Sequence, residues 1–172
     1  VIVSQSNLVK RVVFPLSILP CVMVASSLFN AALSLLVLLL FVLLSQHAIP
    51  VVVLYLPLVY APYVLLLCGV SWLMASLGVF IRDIAQVAGV LSAMLMFLSP
   101  VFYPASTLHE PYRDWLAFNP LTLMIEQTRQ IVLFGQPPDW AALGSYTLVA
   151  VAVLLFGFAW FQRTRDGFAD VL

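Results

Sequence analysis

The chain has 172 residues, 64% of them hydrophobic and 8% charged, with a mean hydropathy of +1.13. Soluble domains carry about a quarter charged residues, so this composition excludes a water-soluble globule and defines an integral membrane protein. Seven basic and seven acidic residues cancel, which leaves no basic face for nucleic acid and no polybasic cluster for anionic lipid.

The sequence opens on Val1 in loop-like sequence, and is expected to be the C-terminal part of a longer protein. Residues 1–16 form a basic, amphipathic approach to the membrane, with Asn7, Leu8, Lys10, Arg11, Phe14 and Pro15. Lys10-Arg11 before an apolar run has the outline of a secretory signal. The run continues to Leu44, however, far beyond the roughly 7–15 residues of a signal core. Ile18-Leu19-Pro20-Cys21 is no lipoprotein cleavage box either, because its Cys stands at the start of the apolar run.

A membrane span needs roughly 20 apolar residues to cross about 30 Å of hydrocarbon. The first predicted span is 17–44, with Ser26, Ser27, Asn30 and Ser34 as small or polar members suited to close helix approach. A short turn holding His47 leads to the second, 51–80, where Pro57 and Pro62 predict bending and Tyr55, Tyr60 and Tyr63 suit an interfacial belt. No Asp, Glu, Lys or Arg occurs from Val51 to Val79, or from Ile84 to Val101. Arg82-Asp83 between these runs must therefore lie at a water interface where the chain reverses. The third predicted span is 84–101, with Gly89, Ser92 and Ala93 as its expected packing face.

From Ser99 the character changes. Ser99-Pro100-Val101-Phe102-Tyr103-Pro104 ends the span, and Asn119-Pro120 begins an apolar stretch to Phe134 that Glu126 and Arg129 interrupt. It is too short and too charged to span. A re-entrant or interfacial helix is expected, since irregular backbone survives at membrane depth only where protein or water satisfies it. The last span is 141–161, followed by a polar tail.

The predicted fold is thus an all-α integral membrane protein of one transmembrane domain, with four transmembrane helices and an external re-entrant segment over 102–140. Four spans put both ends on one side. Lys10, Arg11, Arg82, Arg163 and Arg165 gather there, against Arg113 and Arg129 opposite. Basic residues in short loops favour the cytoplasm, so the ends and the Arg82 turn are expected inside.

The chemistry of catalysis is missing. The one lysine, Lys10, has no glycines around it, so there is no phosphate-binding loop and no visible means of binding ATP. No nucleophile motif, metal-ligand spacing or paired carboxylates occur. Cys21 and Cys68 lie within apolar runs and read as small hydrophobes, while His47 and His109 read as loop residues. The spans hold no acids, which counts against an ion-coupled carrier.

Taken in order, Asn7-Leu8-Val9-Lys10-Arg11 with Phe14-Pro15, Arg82-Asp83-Ile84, Ser99 to Pro104, Asn119-Pro120 with Glu126 and Arg129, and Phe168-Ala169-Asp170 form one pattern. It resembles the type-2 ABC exporter permeases, specifically the group that exports lipid-linked polysaccharides such as O-antigen, capsule and teichoic acid. The resemblance covers essentially the whole chain and implies the last four of six spans. It further implies a bacterial inner (plasma) membrane protein, a homodimer of permeases, and a separate ABC ATPase subunit that carries ATP-Mg. Asn7, Leu8, Lys10, Arg11 and Phe14 would then lie on the coupling helix that docks on the ATPase, with Arg82 and Asp83 in the second cytoplasmic turn. Ser99, Pro100, Tyr103, Pro104, Asn119, Pro120, Glu126 and Arg129 would belong to the external re-entrant gate. Tyr112, Trp115, Phe118 and Trp140 are candidates for stacking on sugar rings, or for anchoring at headgroups. Export of a small hydrophobic compound and a noncatalytic membrane scaffold are the alternative functions.

Overall fold

A computed structural model describes residues 17–81, 83–101, 103, 109, 116 and 119–167. The expectations for residues 1–16, for Arg82, Pro104, Tyr112, Trp115 and Phe118, and for the terminal Phe168-Ala169-Asp170 lie outside the described residues. Every regular element among those described is helical: α1 (Ile18–Gln46), a 3-10 turn (Val51–Tyr55), α2 (Leu56–Phe80), α3 (Ile84–Phe97), α4 (Pro120–Phe134), α5 (Trp140–Thr164) and a closing 3-10 turn (Arg165–Gly167).

The helix limits follow local chemistry. Pro20 falls in the first turn of α1, where a missing N–H costs nothing, and the helix runs 29 residues before His47 turns it out at φ 57°. Pro57 occupies the first turn of α2, and Pro62 stands inside it. Asn119 caps α4, with its side chain accepting from the Leu121 N–H, and Gly135 ends it at φ 62°, a conformation that glycine adopts without strain. Asp139 caps α5 through the Ala141 and Ala142 N–H groups, at 3.0 and 3.1 Å.

Among the described residues α1, the Val51–Phe80 segment and α5 are long and apolar enough to cross a membrane. The third predicted span is shorter than the sequence suggests. α3 stops at Phe97 after 14 residues, about 21 Å at 1.5 Å per residue. The cause is Pro100, which disfavours helical backbone at Ser99. The Ser99 hydroxyl instead donates to the Met96 carbonyl at 2.7 Å.

α2 and α5 make the most extensive helix pairing, and they run parallel. Tyr55 meets Trp140 edge-on at 5.5 Å at one end, and Ser76 bonds Thr164 at 2.7 Å at the other. Between these points the backbones nearly touch. A Cβ on Gly69 would lie 2.7 Å from the Leu154 backbone, and one on Gly157 would collide with the Gly69 carbonyl. Small residues permit such an approach where van der Waals contact must hold helices together.

α1 runs antiparallel to α2: the Trp72 indole N–H donates to the Ser17 carbonyl at 2.9 Å, while Val42 packs in one cluster with Leu56 and Val59. Two ends result. One gathers Ser17, Phe80 and Gly167; the other gathers the 47–55 link, α4, and the start of α5. The larger core cluster lies at this second end, where Met124, Ile131 and Val132 of α4 join Val42, Leu56, Val59 and Leu143; a smaller one, Val79 and Phe161, lies at the first.

The small residues expected to mark packing faces are not packed among the described residues. Among the described residues nothing lies within 4 Å of a Cβ position on Gly89, Ser92 and Ala93 are exposed, and no residue of α3 is buried. Ser26, Ser27, Asn30 and Ser34 are exposed as well. Periodicity in one helix cannot tell which face meets a neighbour when both faces are apolar. The bare flanks of α1 carry Phe29 and Phe41, 66% and 67% exposed, as a surface bathed in lipid tails would.

Candidate functional site

The second end of the bundle holds most of the predicted polar residues, and the structure draws them together around α4. Asn119 lies buried at its start and uses both ends of its amide. Its carbonyl oxygen accepts from the Leu121 N–H at 2.9 Å, and its Nδ2 donates to the Leu95 carbonyl at 3.0 Å. Pro120 follows at the first helical position, and its carbonyl accepts from the Tyr146 hydroxyl at 3.1 Å.

Glu126 and Arg129, three residues apart, form the expected ion pair at 2.7 Å. Arg129 does more than the local pairing predicts. Its second amino group donates to the Pro100 carbonyl at 2.7 Å, so one guanidinium fork joins α4 to the exit of α3. Ser99 and Pro100 are both fully buried at that junction.

Three side chains on this surface make contacts that the sequence does not foretell. Gln127 is buried and its carbonyl oxygen accepts from the Asp139 N–H at 3.0 Å, which fastens the α4–α5 link. The Tyr60 hydroxyl bonds Thr128 at 2.9 Å, and the Tyr146 hydroxyl bonds Pro120 as above. Tyr60 had a signal, its place near the start of an apolar run, but that signal reads equally as an interfacial belt. Gln127 and Tyr146 carry no signal beyond polarity within apolar sequence.

A cavity of about 560 Å³ opens on each side of α4. Tyr60, Tyr63, Thr128 and Arg129 give polar atoms to one, and Asn119, Thr122, Glu126, Ser145 and Tyr146 to the other. Trp140 is half exposed, its ring edge against Tyr55, and Tyr103 is half-buried. At the opposite end Asp83 is exposed and precedes α3 without capping it. His47 and His109 are exposed, and both thiols are free, with Cys21 donating weakly to the Ser17 carbonyl at 3.6 Å. Among the described residues no three His, Cys, Asp or Glu side chains converge as a metal site.

Asparagine 119 invites a test of its two bonds. Asn119→Asp keeps the cap acceptor and loses the donor to Leu95. Asn119→Ala loses both, and a lost N-cap alone costs about 1 kcal/mol. Thermal unfolding in detergent is expected to rank wild type above Asn119→Asp, and Asn119→Ala lowest. Equal loss in both variants would show that the cap bond contributes nothing.

These features define a polytopic helical membrane protein in which a half-length helix bearing Glu126 and Arg129 packs alongside its spans toward one end. The chain belongs to the ABC-2 type transporter family, whose membrane-domain model matches residues 1–133. It is similar to the O-antigen export system permease protein RfbA of Myxococcus xanthus, 30% identical over 170 residues, 97% of this chain and 65% of that protein. The RfbA protein of Klebsiella pneumoniae is 23% identical over 172 residues, 99% of this chain and 66% of its own length. The polysialic acid transport protein KpsM of Escherichia coli is 26% identical over 103 residues, 60% of this chain and 40% of that protein. The chain thus spans just under two-thirds of the length of the RfbA relatives.

Proposed function

We propose that this chain forms the greater part of the permease subunit of an ABC exporter that moves lipid-linked polysaccharide across the bacterial inner membrane. Two permeases pair as a homodimer, and a separate ABC ATPase subunit binds ATP-Mg and supplies the energy. The observation that carries this reading is the similarity, across nearly the entire chain, to O-antigen export permeases. The sided geometry supports it. Asp83 and the exposed Arg163 and Arg165 stand at the end shared by Ser17 and Phe80, the end assigned to the cytoplasm by its basic residues.

In this scheme residues 1–16, among them Asn7, Leu8, Lys10, Arg11 and Phe14, dock with Arg82-Asp83 on the ATPase. α4, with Glu126 and Arg129, caps the external mouth, where Trp140 and its aromatic neighbours meet glycan or headgroups. The chain's own residues supply positioning and a closed wall; the chemistry of hydrolysis belongs to the partner.

The test is co-purification of the full-length protein with its ATPase, followed by ATP hydrolysis in nanodiscs with and without lipid-linked glycan. Stimulation by the glycan is the expected result. Sidedness has its own check: Asp83→Cys should react with a membrane-impermeant maleimide only after the cells are opened. An Asp139→Cys variant should react in cells whose outer layers alone have been permeabilised. Labelling of Asp83→Cys before the inner membrane is breached would overturn the assigned orientation.

A further inference from the structure

We infer that α3 is a strut that carries displacement from the inner turn at residue 83 to α4, with Asn119 and Arg129 as the two positioning residues that fasten its far end. The inference rests on the reading of the chain as an ATP-driven exporter, because that reading supplies the force at the inner turn.

The first observation is how little holds α3 along its length. No residue of α3 is buried, and its contact with α2 is slight. Its Ile84 side chain packs near Gly78, where an added Cβ would sit 3.3 Å away. The α2–α5 pair beside it is locked backbone to backbone at Gly69 and Gly157. Among the described residues α3 is held along its length far less than that locked pair.

The second observation is where the last carbonyls of α3 find donors. A helix end leaves four C=O groups without partners inside the helix. Here the Met94 carbonyl takes the Leu98 N–H, and the Met96 carbonyl takes Ser99 through both its N–H and its hydroxyl. The Leu95 carbonyl takes Asn119 Nδ2, and just beyond the helix the Pro100 carbonyl takes Arg129. Both of these donors lie on α4 or its cap. The contacts are to backbone, so they follow the position of α3 whatever its side chains do. Arg129 is braced by Glu126, and Asn119 is braced by capping α4. α3 cannot be displaced at this end without drawing on α4.

Spin-label distances in the full-length permease–ATPase complex test this, with Cys21→Ala, Cys68→Ala and replacement of any other cysteine of the complex removing the native thiols. Labels at Leu91→Cys and Leu148→Cys report α3 against α5, and labels at Phe134→Cys and Leu148→Cys report α4 against α5; all three positions are exposed. On nucleotide binding both distances are expected to change by at least about 2 Å, the scale of helix shifts in switching proteins. In the Asn119→Asp, Arg129→Lys double variant the α3 change should persist and the α4 change should fall below half. Aspartate retains the cap without the donor, and lysine retains the charge without the fork. Glycan exported per ATP hydrolysed should drop about tenfold, within the usual range of site-to-site coupling. An α4 change that survives in the double variant overturns the strut, as does a wild type in which α3 alone moves. If nucleotide moves neither pair, the ATP-driven reading itself falls, and the strut with it.

Discussion

Leucine in place of Gly157 is expected to drive α2 and α5 apart and to lower the unfolding midpoint well beyond the effect of losing the Asn119 cap. The obstruction is backbone, which cannot swing aside as a side chain tip can. A Cβ at 157 would collide with the Gly69 carbonyl, and one at 69 would lie 2.7 Å from Leu154 N and Cα. Overpacking of ordinary cores costs about 1–3 kcal/mol, and an obstruction made of main chain falls at or above the top of that range. At roughly 2–4 °C per kcal/mol for a chain of this size, a loss of about 3 kcal/mol lowers the midpoint by about 6–12 °C. Gly144→Leu is the matched control, because it lies on the same helix and a Cβ there meets nothing within 4 Å among the described residues. Scanning fluorimetry of the two variants in one detergent decides the matter. A Gly157→Leu protein that melts with Gly144→Leu would mean that α2 and α5 do not cross at these glycines.

The same crossing shows where sequence reading stops. Three long apolar helices were legible because an uninterrupted apolar run of sufficient length has few other fates, whereas α3 is only 14 residues of the 84–101 run; the ends of α4 were legible in Asn119-Pro120 and Gly135. The charges placed residues 82–83 and 163–165 on one side, and the parallel course of α2 and α5 brings Phe80, Asp83 and Arg165 to a common end. Gly69 and Gly157 gave no warning, because each is one of two glycines in an apolar helix with nothing in sequence to single it out, and the partner lies 88 residues away. Gly89 with Ser92 and Ala93 had the better small-residue pattern and turned out exposed. The pairing of Glu126 with Arg129 could be read from a spacing of three. The reach of Arg129 to the Pro100 carbonyl could not, since a bond from a side chain to distant backbone leaves no trace in periodicity or composition.

That unforeseen bond decides how the Glu126–Arg129 pair should respond to mutation. The two side chains are 25% and 19% exposed, so the pair is screened more than a fully buried one, whose disruption costs about 3–5 kcal/mol. Arg129→Met removes the counter-ion of Glu126 and also strips the Pro100 carbonyl of its donor. Losing a donor to a buried acceptor by itself costs about 1–3 kcal/mol, and the combined loss is expected near 2–4 kcal/mol. Glu126→Leu leaves Arg129 still donating to Pro100, and should cost less. The double variant loses the carbonyl's donor without leaving a carboxylate that has lost the Arg129 pairing. It should therefore unfold at a higher temperature than Arg129→Met alone. That ordering, with the double variant above one of its parents, arises only if the two side chains interact in the folded state. If the two single losses add up in the double variant, the residues act independently, and Arg129 holds α4 through the Pro100 carbonyl alone.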